Sequence, residues 1–257
     1  MLRHDLKKAV CNPYFFVCVI VATVLLIQKT MENWGGSQDM NGLLGSLLYT
    51  CELGYITLVI PILSSLPFAG SYYEEVHSGY QYATLIRGSK KGYMFGKALA
   101  AFISGFLVIF LACIFFEMVI FWQGDFQIAY GGMWLLGNFD FYVGLASNHM
   151  EFIAVIAKIV LLSGYGGMWS LICLVVSSFI DNRYITVVAP FFIERFLMYL
   201  FSFLEIDGWH PYSVSLPIRA DILDRMCGGL LYGFVYLFVV CVVLTIIFGK
   251  RLMQRLN

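Results

Sequence analysis

Five ionisable residues stand inside long apolar runs of this sequence: Glu52, Glu117, Lys158, Glu194 and Arg195. Charges in such runs either pair to fix helix packing or line a polar path through a bilayer, because an isolated charge at the bilayer centre costs about 2.5–3.5 kcal/mol. Counted at about 1.5 Å per residue from the outer ends of their runs, Glu117 and Lys158 lie shallow, Glu52 deeper, and Glu194 and Arg195 near the middle. Helix neighbours point about 100° apart, so Glu194 and Arg195 are each expected to look to another span rather than to one another. Lys158 also has a simpler reading, snorkelling toward the outer interface.

Other chemistry is hard to assemble. Only four histidines occur (His4, His77, His149, His210), all outside the apolar runs, and no HExxH or GxSxG is present. The seven cysteines are scattered without a CxxC pair, which disfavours a disulfide framework or a zinc site. No GxxxxGK[ST] occurs, and Gly88-Ser89-Lys90-Lys91-Gly92 lacks the spacing of a phosphate-cradling loop. Glu74-Glu75 resembles the paired glutamates of membrane proteases that process prenylated proteins. Those families place an arginine three residues beyond the second glutamate, where this chain has Ser78, and they need histidines in later spans. The sequence therefore reads as a non-enzyme with no metal site and no cofactor of its own.

The elements that must carry these residues are membrane helices. Of 257 residues, 60% are hydrophobic and 12% charged, half the roughly 25% charged content of soluble domains. Formal net charge is zero, so the total points to neither nucleic acid nor an acidic substrate, and only its distribution informs. A crossing helix needs about 20 apolar residues. Segments near residues 14–28, 43–68, 98–122, 151–180, 184–204 and 228–249 come close, which predicts a single all-α domain over 1–257 with six spans. Asp181-Asn182-Arg183 is a tight turn between the fourth and fifth.

Residues 1–13 form an amphipathic helix on the membrane surface, with Leu2, Leu6, Ala9 and Val10 on one face and Arg3, His4, Lys7 and Lys8 around the other. A charged flank that only sets orientation is the plainer alternative. Asn12-Pro13 breaks this helix, and without a small-residue cleavage site the first run reads as a retained anchor.

With the N-terminus inside, eleven of the 16 lysines and arginines face the cytoplasm, three (Lys29, Arg219, Arg225) face out, and Lys158 and Arg195 are intramembrane. Both termini and residues 71–97 are accordingly expected in the cytoplasm. Gly229 and Gly233, and likewise Ser163 and Gly167 or Gly166 and Ser170, have the small-xxx-small spacing that lets helices approach closely, within one bundle or between subunits.

Residues 71–97, SYYEEVHSGYQYATLIRGSKKGYMFGK, interrupt the apolar pattern with four tyrosines near the start, two carboxylates, glycine breaks and cations. Tyr72 to His77 reads as one short helical piece and Tyr80 to Ile86 as another, with Gly79 between them and Ser89 capping the third span. Tyrosines of this kind suit either a protein interface or an aromatic belt at the membrane surface.

The order of features resembles the six-span permease subunits of type-2 ATP-binding-cassette (ABC) exporters. It comprises a basic amphipathic start ending in Asn12-Pro13-Tyr14, two spans, Glu74-Glu75, Ser78-Gly79, Leu85, Arg87-Gly88-Ser89-Lys90, then Tyr93 and Lys97 opening the third span. The likeness runs over essentially the whole chain and is densest in about 25 residues.

This resemblance implies an elbow helix at 1–13 and a coupling helix within 71–97 that docks on a separate ATPase. It also implies re-entrant helices at 205–227 outside. Tyr73, Glu74, Glu75, Ser78, Gly79 and Tyr82 become the ATPase-contact candidates. ATP and Mg would bind in the partner, a second or similar permease copy would complete the assembly, and the location would be a bacterial inner membrane. A peptide, antimicrobial or lipid-like substrate fits such a family. Two rivals stay open: a six-span capture subunit of an energised importer, and a proton-coupled carrier using Glu52, Glu117 or Glu194.

Overall fold

Asn12 stops one helix and starts the next. In the computed structural model, which describes residues 2–32, 43–53, 55–79, 89–122, 151–206, 210–211 and 228–256, α1 (Leu2–Val10) ends just before it and α2 (Pro13–Glu32) begins just after it. The Asn12 side-chain oxygen accepts the Tyr14 N–H at 3.1 Å, and Pro13 occupies the first helical position, where its missing N–H costs nothing. The remaining helices are α3 (Leu43–Leu53), α4 (Ile56–His77), α5 (Lys90–Trp122), α6 (Glu151–Ser177), α7 (Arg183–Phe203) and α8 (Gly228–Leu256).

Six of these, α2 and α4 to α8, are long and apolar enough to cross a membrane. The chain is an all-helical, multi-pass membrane protein, with no strand among the described residues.

The second expected span is corrected. Residues 43–68 are not one helix: α3 stops at Leu53 after 11 residues, and α4 restarts at Ile56. Gly54 falls between them in sequence, the weakest helix former in that stretch apart from proline. Helix α4 then continues to His77, so Tyr72 to His77 is the end of a span rather than a separate piece. Phe68, Tyr72 and Glu75, at helical spacing, are all buried and keep that end packed. Helix α5 likewise starts at Lys90, two turns before the expected boundary, and α8 runs on to Leu256.

Helix α6 is the hub, packed against α3, α4, α5, α7 and α8. Tyr165 and Trp169, both fully buried and edge-to-face at 5.8 Å, sit in the main core. Its closest partner is α5, and small residues make that approach possible. A Cβ on Gly105 would lie 2.6 Å from Ser170 Cβ and 2.8 Å from the Gly166 carbonyl oxygen. Gly167 meets the Phe102 ring in the same way, at 2.7 Å. The small residues at Gly166, Gly167 and Ser170 thus serve contact within the bundle. Ser163 is buried and donates to the Ile159 carbonyl at 2.6 Å, while Gly233 is buried in α8.

Helices α7 and α8 are the least covered of the six, and α7 shows how. Its buried residues are Thr186, Pro190 and Glu194, a single stripe at i, i+4 and i+8. Phe192, Phe196, Tyr199 and Phe203 are exposed, which in lipid carries no hydrophobic penalty.

Candidate functional site at the basic end

One end of the bundle gathers the segments richest in cations. Helix α1, the end of α4, the start of α5, the α6–α7 turn and the end of α8 are joined there by ion pairs. Asn182 caps α7 by accepting the Tyr184 and Ile185 N–H groups at 2.9 and 3.2 Å. Beside it Asp181 takes a 3.0 Å ion pair from Arg255 of α8. Ser89 caps α5 as expected, accepting the Gly92 N–H at 3.0 Å.

The two adjacent glutamates part company. Glu75 points inward and is buried, and its Oε1 takes a 2.5 Å hydrogen bond from Lys97 Nζ. The Tyr93 hydroxyl donates to its Oε2 at 3.0 Å. Lys97 also donates to Asp5 Oδ1 of α1 at 2.9 Å. The ammonium lies over the Phe68 and Tyr93 rings, 5.4 and 5.9 Å from their centroids, and its side chain is 1% exposed. One cation in a nearly dry pocket therefore ties α1, α4 and α5 together.

Glu74 points outward. It meets Lys8 of α1 at 3.2 Å and Arg183 of α7 at 3.5 Å. Each of these pairs is half-exposed and adds only tenths of a kcal/mol up to about 1 kcal/mol.

Beyond Glu74 the helix ends. The Ser78 N–H returns to the Glu74 carbonyl at 2.9 Å. Gly79 has φ +69°, the left-handed conformation that lets the chain leave a helix end. Tyr73 is half-buried with its ring 4.0 Å from that of His77. A groove of about 1090 Å³ opens here, walled by His4, Lys7, Lys8 and Cys11 on one side and by Glu74, Glu75, Ser78 and Gly79 on the other.

The sequence-derived contact set therefore divides. Glu74, Ser78 and Gly79 are exposed on the groove, and Tyr73 lies beside them. Glu75 belongs to the internal ion cluster, its side chain 7% exposed where it borders the groove. Tyr82 lies outside the described residues, as do Tyr80 to Ile86 and nearly all of 205–227.

Sequence reading passed over Asp5 and named Tyr93 and Lys97 only as residues that open the third span. The one signal was a cation and a tyrosine four residues apart at the head of an apolar helix, with a lone acid in a basic amphipathic one.

Within the spans, Glu194 and Arg195 correct the expectation. They pair with each other through two hydrogen bonds, Arg195 Nε to Glu194 Oε2 and a terminal guanidinium nitrogen to Oε1 at 2.8 Å. The long arginine side chain folds back far enough to overcome the 100° offset. Glu194 is 2% exposed and Arg195 27%. Lys158 is fully buried rather than snorkelling outward. Both Glu117 carboxylate oxygens are buried without a hydrogen-bond partner among the described residues. The side chain of Glu52 and the packing of Gly229 lie outside the described residues. Among those residues no cluster of three or more His, Cys, Asp or Glu could hold a metal.

No family model, no curated protein and no solved structure matches this chain.

Proposed function

We propose that the chain is the membrane-spanning permease subunit of an ATP-driven ABC exporter, working as one of a pair with a separate ATPase. The basic end faces the cytoplasm and carries the docking surface for that ATPase. The observation that carries this reading is the construction of α4. It runs without a break from the bilayer to His77 and ends on exposed Glu74, Ser78 and Gly79, while Glu75 anchors its last turn internally. A force-transmitting element must be held at its base, and the Glu75–Lys97 pair holds this one. The order of sequence features supports the same reading, as does the lack of a phosphate-binding loop in a chain with six membrane-crossing helices.

Helices α7 and α8 expose enough apolar surface for lipid and a second copy to share. A hydrophobic peptide, antimicrobial or lipid-like molecule is the substrate class that such spans accommodate.

Purification of the protein from its native host tests the proposal. A co-purifying chain with a GxxxxGK[ST] loop, lost on Glu74→Arg, is expected. Transport that continues without any such chain and depends on a proton gradient would replace this reading with an ion-coupled carrier.

A further inference from the structure

Asp5 and Glu75 sit on either side of one ammonium. Lys97 Nζ is 2.9 Å from Asp5 Oδ1 and 2.5 Å from Glu75 Oε1, with all three side chains buried. The two carboxylates differ in what else they have. Glu75 holds the Tyr93 hydroxyl at 3.0 Å, whereas Asp5 Oδ2 is buried with no hydrogen-bond partner among the described residues. The other charged groups nearby are peripheral: the His4 ring is 4.0 Å from Asp5 Oδ1 but exposed, and Glu74 is turned toward Lys8 and Arg183 at the surface. Helix α1 has nine residues, too few to persist alone in water, and it packs on α5 and the end of α4. Its one buried ionic anchor among the described residues is Lys97.

We propose that Lys97 is a positioning residue shared in competition by Asp5 and Glu75, so that the N-terminal helix is fastened to the docking surface by a hold that Glu75 regulates. Drawing Glu75 away from Lys97 leaves the ammonium wholly to Asp5 and tightens α1. Releasing α1 leaves Lys97 to Glu75 and stiffens the end of α4. Helix α1 also forms the basic wall of the groove beside Glu74, Ser78 and Gly79, so this hold sets the groove's shape. The inference rests on the reading of that groove as the ATPase-docking surface and specifies how it is regulated.

Hydrogen exchange of the full-length protein in lipid nanodiscs, read by mass spectrometry on the peptide covering residues 4–11, tests it without any partner. Asp5→Asn trades a charge-assisted bond for a neutral one and should speed α1 exchange by about fivefold. Lys97→Met should speed it further, on the order of a hundredfold or more, and Lys97→Arg should restore most of the protection.

Glu75→Gln is the decisive variant. Competition predicts slower α1 exchange than in the unaltered chain, because one rival charge is gone. A purely structural cluster predicts faster exchange, as for Asp5→Asn, and that result, or no change in any variant, overturns the proposal. The Asp5→Asn and Glu75→Gln pair decides the matter even if Lys97→Met does not fold. Since no ATPase is present, a missing ATPase partner would sink the proposed function and leave this measurement intact.

Discussion

Gly105 is the position where one methyl group should do most damage. An alanine Cβ there would fall 2.6 Å from Ser170 Cβ, 2.8 Å from the Gly166 carbonyl oxygen and 3.2 Å from the Ser64 carbonyl oxygen. Two of these atoms are backbone and cannot rotate away. Heavy atoms settle at about 3.5–4.0 Å, so α5 must retreat from α6 by on the order of 0.5–1 Å along a contact that runs through the middle of the core. Overpacking of this kind costs about 1–3 kcal/mol.

Alanine also gains up to about 1 kcal/mol over glycine in helix propensity, which must be subtracted. Gly96, on the same helix, supplies the reference, because a Cβ there meets nothing within 4 Å. Both replacements carry the same propensity gain, so their difference isolates the packing penalty. Thermal denaturation in a mild detergent, with size-exclusion chromatography of the surviving protein, should rank Gly105→Ala below Gly96→Ala by about 1–3 kcal/mol. Equal stabilities, or a Gly105→Ala protein that outlasts Gly96→Ala, would refute the close α5–α6 packing.

Arg195→Met should cost about 3 kcal/mol or somewhat more by stranding buried Glu194, and Glu194→Gln combined with Arg195→Met should recover most of that loss in the same denaturation assay. Cys11 is exposed, whereas Cys18, Cys51, Cys113 and Cys173 are buried. A membrane-impermeant maleimide should therefore modify Cys11 in inside-out vesicles and leave it untouched in intact cells; modification from the cell exterior would reverse the proposed orientation. Ser89→Ala removes the acceptor for the Gly92 N–H and should destabilise the first turn of α5 by about 1 kcal/mol, seen as faster amide exchange confined to the residues just after position 89.

Much of the bundle was legible because membrane helices write themselves as long apolar runs: five of the six expected spans fall on helices, three of them near the expected bounds, while α5 starts two turns earlier and α8 runs on about two turns further. The helix breaks at Asn12 and Asn182 were legible too, since capping chemistry is local. The split of the second run was not. Apolar residues continue on both sides of Gly54, and hydropathy does not register where one helix ends and the next begins.

The site was half legible. Composition marked Glu74 and Glu75 as a pair, but their opposite fates depend on which face of α4 meets Lys97, 22 positions away. Asp5 lies 92 positions from the same lysine, and a single sequence carries no local sign of such a meeting. The Glu194–Arg195 pair escaped for another reason: backbone angles gave the wrong answer where a flexible guanidinium could reach around.

The docking surface can be probed where it stands. A photo-crosslinking residue in place of Ser78, activated in membranes of the native host, should form an adduct with a chain that carries a GxxxxGK[ST] loop. That adduct should disappear when Glu74→Arg is added. Efficient crosslinking of Ser78 to lipid alone, or to proteins without a nucleotide-binding loop, would contradict the account.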